Sequence, residues 1–228
     1  KLRNLVIKLQ KNKKIKTDLV LIGLHNIYKK KNFRKNNEIK DYNIKNFNYI
    51  KISEKTNSSI NILNRSSDLV RKISKKFKKK KYDYLIILGD RYEALISSYC
   101  AMICGISIIH ISGGDETFGS YDNAFRHSIS QLSNLHFVTN LKSKNKLIKM
   151  GLNPKTIFNY GSLSVENIQN HTFKSKKILS KNLNISFKEK NFIVTFHPET
   201  VSKNNLEKLN ILINSLKEFK NFLFIFTG

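Results

Sequence analysis

The chain has 228 residues, a formal net charge of +26 and two cysteines. That length is enough to bury a sizeable core in one or two domains. No apolar run is long enough to cross a membrane as a helix, and the sparse cysteines exclude a disulfide framework and fit a reducing, cytoplasmic setting.

A charge of this size raises the question of nucleic acid. Most of it comes from lysine, dispersed along the chain with one run, KKFKKKK, at residues 75–81. Specific nucleic-acid readers rely on arginine for bidentate contacts to bases and on interleaved aromatic side chains for stacking. Neither pattern is present, so no nucleic-acid partner is expected. A basic, solvated surface that attracts an anionic small molecule fits better. The opening segment, KLRNLVIKLQKNKK, is amphipathic and lysine-rich, without the apolar core or cleavage site of a signal peptide. The sequence opens inside a helical pattern and closes inside a strand pattern, so a piece of a longer chain, clipped at both ends, is expected.

Taken in order, Leu2, Leu5, Val6 and Leu9 mark a first helix. Residues 17–24 (TDLVLIGL) read as a buried strand, 25–46 as a long polar loop, and 48–52 as a short strand. Apolar positions at helical spacing predict a helix over 58–78. Strand (84–88) and helix (94–104, ended by Gly105) follow, with Cys100 and Cys104 expected as two small buried residues. Then come strand (106–111), a glycine-rich loop, helix (121–132), strand (135–138), helix (142–150), strand (156–161) and the start of a helix at 164. Strands and helices alternating at this short spacing imply a parallel, doubly wound sheet. Residues 171–190 are polar, lysine-rich and aperiodic, and read as a join between domains. A second βαβ unit follows: strand 191–196, loop 197–205, helix 206–219 and a last strand ending in FTG. The expected class is α/β, with two Rossmann-like domains facing a cleft.

The chemistry concentrates in residues 82–137. Asp90 closes a strand in LGDR and is either the cap of the next helix or an acid/base group. His110 alternates with isoleucines and is either a core histidine or a site residue. Gly113 and Gly114 let the backbone approach a ligand closely, without the spacing of a dinucleotide fingerprint. Asp122 and Arg126 share a helix face and are able to pair, as an ordinary surface ion pair or within a site. His197 ends a strand in VTFHPET, again with both readings open. No spacing suits a metal, and there is no phosphate-binding P-loop and no nucleophile elbow.

Together LGDRYE, HISGGDETFGSYDNAFRHSISQLSNLHF, YGSLSVENI and VTFHPET resemble the UDP-N-acetylglucosamine 2-epimerases, specifically their hydrolysing branch. The resemblance implies a GT-B-like pair of Rossmann-like domains: residues 1–170 as the first, lacking its first strand, 171–190 as the linker, and 191–228 as the start of a UDP-binding second domain. It implies elimination of UDP across C1–C2 of the sugar and hydration of the resulting glycal. A mannosamine-type sugar for sialic- or legionaminic-type acids would be released. It implies catalytic roles for Asp90, Asp122, Arg126 and His197. It implies substrate binding by Arg91, Ser112, Gly113, Gly114, Asp115, Glu116, His127 and Ser162. No cofactor is implied, and a homo-oligomer, dimer or tetramer, is. Some relatives carry glutamate at the position of Ser112. A serine cannot act there as a base at neutral pH, so either Asp115, Glu116 or Asp122 covers that role or the mechanism differs in detail.

Overall fold

The computed structural model describes residues 2–23, 47–52, 58–198 and 204–227. They divide into two compact units, Lys1–Glu116 with Asp122–Gln169, and Thr117–Tyr121 with Asn170–Gly228. The polar stretch expected as a loop at 25–46 lies outside the described residues, as do residues 199–203 of the HPETVSKNN loop.

In the first unit, α1 (Arg3–Lys11) precedes β1 (Leu19–Gly23) and β2 (Phe47–Lys51). These two strands pair in parallel, Leu19 opposite Phe47. Helix α2 (Ser59–Lys79) is long because its sequence favours it throughout. Ser58 caps it by accepting from the Asn61 amide, and Lys76, Lys78 and Lys79 complement the dipole in its last turn. Its buried face inserts Leu69 and Ile73 between β2 and α3 (Tyr92–Ile103), against Ile50, Ile52 and Cys100.

Next comes a four-stranded parallel sheet in sequential order: β3 (Tyr84–Leu88), β4 (Ser107–Ile111), β5 (Leu135–Val138) and β6 (Ile157–Asn159). The crossovers are α3, α4 (Asp122–Leu132) and α5 (Leu141–Lys149), with a short 3-10 turn at Pro154–Thr156. Parallel strands joined this way have all their carboxyl ends on one edge, and the connecting turns gather there. Ile108 is 1% exposed and packs with Ala101 and Ile106, while Leu147, Val138 and Ile157 close the other end of the core. Helix α6 (Leu163–Gln169) follows β6.

The second unit repeats the βαβ pattern. β7 (Lys190–Thr195) pairs in parallel with β8 (Phe222–Thr227), and α8 (Asn205–Lys217) connects them. Phe192, Phe219, Phe222 and Phe224 pack together, with Phe192 and Phe222 ring centres 5.5 Å apart. Among the described residues, no helix is long and apolar enough to cross a membrane.

Two expectations change. Residues 171–190 are not aperiodic coil: they hold a helix, α7 (Lys176–Leu183), capped by the Ser175 hydroxyl on the Ile178 amide and closed by Asn184 in the left-handed region. Its lysines hide a weak apolar stripe that the cap and the left-handed exit make sufficient. Cys104 is exposed while Cys100 is buried, because Cys104 sits at the helix C-cap rather than on the packed face. Leu69 is fully buried, so Leu69→Ala is expected to lower unfolding free energy by about 2–5 kcal/mol in denaturant titrations.

Candidate active site

The site starts where β3 ends. Gly89 takes φ +97, a left-handed conformation that glycine adopts without strain. This turns the chain so that Asp90 stands at the carboxyl edge of the sheet. Asp90 is not the cap of α3: the cap position is Arg91, which makes no side-chain cap bond. The Asp90 carboxylate instead accepts a hydrogen bond from the Nη2 of Arg126. Arg126 comes from α4, is 6% exposed, and also donates Nη1 to the Asp115 backbone carbonyl at 2.7 Å. Burial pulls the Arg126 guanidinium below its ordinary pKa. One guanidinium therefore ties the end of β3 to the loop after β4. Such a planar fork suits two acceptors at once.

The loop after β4 is held from below. The Asp115 carboxylate accepts from Thr139 Oγ1 at 2.9 Å and from Ser143 Oγ at 2.5 Å. Both bonds fall on Oδ1, so one oxygen of Asp115 fixes its own loop. Gly113 and Gly114 are buried and have a packing role. A Cβ on Gly114 would come within 2.4 Å of the Ser143 carbonyl, and one on Gly113 within 2.8 Å of Ser130 Oγ. The pair lets the loop close onto α4 and α5. Ser112 has φ 64, a strained conformation for a residue with a side chain. Its amide donates to the Phe137 carbonyl at 2.9 Å.

These elements enclose a cavity of about 820 Å³, within the size range of small-molecule sites. It lies within the first unit. Of the residues expected from the sequence, Asp90, Arg91, Ser112, Asp115, Arg126 and Ser162 line it. Arg91 holds the two oxygens of Glu93 through Nε and Nη2, both at 3.1 Å. Ser162 accepts from the Ser164 amide at 3.2 Å at the start of α6. Glu93, Ser97, Thr139 and Ser164 also line the cavity and are not among the residues that sequence reasoning points to. Glu93 is visible in the LGDRYE motif, two residues beyond Arg91, whereas Thr139 and Ser97 carry no local signal. The opposite half is apolar, formed by Val20 and Ile22 of β1 and by Ile86, Ile87 and Leu88 of β3.

Gly113, Gly114, Glu116, Asp122 and His127 are not among the lining residues. Glu116 reaches outward to Lys146 at 3.1 Å and Lys142 at 3.5 Å, and Lys146 holds its carboxyl below the usual range. Asp122 opens α4, and its charge acts on Arg91. His127 is half-buried, its Nδ1 is buried without a hydrogen-bond partner among the described residues, and burial lowers its pKa. His197 belongs to the second unit, just past the carboxyl end of β7, and is exposed. No three potential metal-binding side chains come together among the described residues.

Parallel α/β units with a polar site at strand carboxyl ends define a Rossmann-like class of fold, and likeness to known proteins narrows it. The family model described as UDP-N-acetylglucosamine 2-epimerase matches residues 7–228. The chain is 33% identical to the polysialic acid biosynthesis protein P7 of Escherichia coli, covering 98% of this chain and 57% of that protein. It is 38% identical over 152 residues to a GDP/UDP-N,N'-diacetylbacillosamine 2-epimerase (hydrolyzing) of Campylobacter jejuni, covering 66% of this chain and 40% of the relative. Among solved structures, the UDP-GlcNAc 2-epimerase of Methanocaldococcus jannaschii in complex with UDP-GlcNAc and UDP superposes with a TM-score of 0.80 at 20% identity. That match covers 100% of this chain and 62% of the other. The Neisseria meningitidis UDP-GlcNAc 2-epimerase bound to UDP-GlcNAc gives 0.79 at 20% identity, over 99% and 62% of the two chains. The fold is α/β and GT-B-like, and the chain belongs to the UDP-N-acetylglucosamine 2-epimerase family. It spans a little over half the length of the Escherichia coli relative.

Two measurements test the site's energetics. Arg126→Met leaves Asp90 without its buried partner and is expected to cost about 2–3 kcal/mol, and adding Asp90→Asn should recover part of that loss. A double-variant loss equal to the sum of the two single-variant losses would show that the pair does not couple. His110 is fully buried, and burial lowers its pKa to about 4. The unfolded chain therefore binds a proton that the folded chain refuses between pH 6.5 and 4. Stability should fall with acid across that window by up to about 3 kcal/mol, a slope that His110→Gln should flatten in pH-dependent denaturation.

Proposed function

We propose that the intact protein is a hydrolysing UDP-sugar 2-epimerase. It takes UDP-N-acetylglucosamine, or a UDP-linked 2,4-diacetamido-6-deoxy sugar, and releases UDP and the free 2-epimer for sialic- or legionaminic-type acid synthesis. The observation that carries this reading is the Asp90–Arg126 pair on the cavity wall, a carboxylate oriented by a buried guanidinium at the carboxyl edge of a parallel sheet. The hydrolysing names of the relatives from Campylobacter jejuni and Legionella pneumophila support the branch. Other relatives carry the name UDP-N-acetylglucosamine 2-epimerase without that qualifier, so a non-hydrolysing epimerase is the second reading.

The chemistry follows from the substrate. The C2 proton is weakly acidic, so its removal needs a base fixed beside it, and the departing diphosphate needs nearby positive charge. The base takes the C2 proton, the C1–O bond breaks, and the electron pair leaves with UDP. A glycal remains. Water adds its hydroxyl to C1 and a proton returns to C2 from the opposite face, giving the epimer. We assign the acid/base work to Asp90 and, on the resemblance of its motif rather than on the cavity lining, to Asp122. Arg126 orients Asp90, and Arg91 contributes charge toward the phosphates. His197, on its VTFHPET motif, assists diphosphate departure. Ser112 binds rather than transfers protons. Asp115 holds its loop through Oδ1 and lines the cavity, where it binds substrate. Glu116 and Gly114 act at most indirectly, and no cofactor enters the scheme.

β1 and β3 line one apolar half-cavity yet belong to different sheets. We read that half as room for a further parallel strand, within a first Rossmann-like domain joined through residues 171–190 to a UDP-binding one. A cytoplasmic homo-oligomer completes the reading.

The test is UDP release by the intact protein from each of the two substrates, with the sugar product examined for its linkage. Free UDP with free sugar supports the hydrolysing reading, a UDP-linked epimer the second, and neither product would sink both. Asp90→Asn is expected to lower kcat by about 10³-fold or more in the same assay.

A further inference from the structure

We propose that His110 is a positioning residue for Asp90, acting through the backbone of the Gly89 turn and braced by Ser130. The proposal rests on the reading of Asp90 as an acid/base group. His110 is 0% exposed and sits on β4, yet both of its ring nitrogens are engaged. Nε2 lies 3.0 Å from the Gly89 carbonyl, and Nδ1 lies 3.0 Å from Ser130 Oγ. A carbonyl can only accept, so Nε2 carries the proton. Nδ1 is then an acceptor, and the Ser130 hydroxyl donates to it.

The placement of Ser130 gives this bond its meaning. Arg126 and Ser130 are four residues apart on α4, on one face of the helix. That single face grips two consecutive residues. Arg126 holds the Asp90 carboxylate directly, and Ser130 holds the Gly89 carbonyl through His110. A Cβ on Gly89 would meet nothing within 4 Å, so no neighbour packs on that side of the turn. The peptide that aims Asp90 is fixed by hydrogen bonds. Gly113 completes the arrangement: a Cβ there would press on Ser130 Oγ at 2.8 Å and on His110 Nδ1 at 2.9 Å. The loop backbone thereby covers the imidazole–hydroxyl bond and keeps water from competing for it. His136 lies beside His110 in register on β5, and Asp115 and His127 are the other charged or titratable groups acting on it.

The test uses the intact protein and the variants His110→Ala, His110→Gln and Ser130→Ala. With UDP-N-acetylglucosamine, or the diacetamido sugar nucleotide if that is the one turned over, His110→Ala is expected to lower kcat about 10²-fold. KM should stay within about threefold, since a misaimed group costs turnover more than binding. Glutamine keeps an N–H where Nε2 stands, so His110→Gln should recover at least about tenfold, with Ser130→Ala between it and wild type. A His110→Ala protein with wild-type kcat, or a His110→Gln protein no better than alanine although it melts at the wild-type temperature, would overturn the proposal. A second readout needs no turnover. Nitrogen-15 NMR of the imidazole in the ligand-free protein should show the Nε2–H tautomer in wild type. Finding the Nδ1–H tautomer overturns positioning whether or not the protein is an epimerase. If wild type releases no UDP, the functional reading fails, while the tautomer still decides the geometry. If His110→Ala does not fold, Ser130→Ala and the tautomer decide.

Discussion

The arginine of α4 is the constraint around which the first unit is arranged. Removing a guanidinium from water costs several kcal/mol unless its donors are met and its charge is countered. Arg126 meets both conditions by reaching two separate segments, the Asp90 carboxylate and the Asp115 carbonyl. Those acceptors are offered only if β3 turns sharply at Gly89 and the loop after β4 folds back toward α4. The remaining features of the site follow from that demand: the left-handed glycine, the two glycines pressed against helices, and the carboxylate of Asp115 spent on Thr139 and Ser143. The desolvation that makes the pair costly to form also makes it strongly orienting once formed, because a low local dielectric strengthens each bond.

Topology supplies the rest. With every strand parallel, the turns after β3, β4 and β5 emerge along one edge, so groups distant in sequence come together without long loops. Asp90 and Arg126 are 36 residues apart and in direct contact. The polar wall of the cavity is built from those turns, and the apolar wall from the faces of β1 and β3.

Much of this architecture is legible in the order of the residues. The βα alternation, the parallel class and most element positions follow from apolar runs punctuated by glycine. The segment 82–137 stands out as the one that carries the chemistry. Asp90 and Arg126 are both visible there, but as separate possibilities, a cap on one helix and an ion pair with Asp122 on another. Neither motif contains the contact between them, because side-chain spacing within an element says nothing about which element lies opposite. Gly113 and Gly114 read as making room for a ligand, and in the structure their missing Cβ atoms make room for helices. From sequence the two readings are the same, since both require only that a Cβ be absent. Helix α7 escapes sequence reading because lysines dilute its apolar spacing and its stability comes from its caps.

The residue order alone settles local matters: which stretches are strands, which are helices, where the chain turns and which residue types stand at the turns. Those follow from periodicities of two and 3.6 and from the backbone freedom of glycine, which act over a few residues. The pairing of distant polar groups is settled only in three dimensions. Packing assigns Asp90 to Arg126 rather than to the helix end, turns Glu116 outward to lysines, binds Asp115 into its own loop, and sets His110 between Gly89 and Ser130. Buried polar groups must each find a partner, but the partner is chosen by which strands and helices are neighbours, and that choice belongs to the packing of the whole unit.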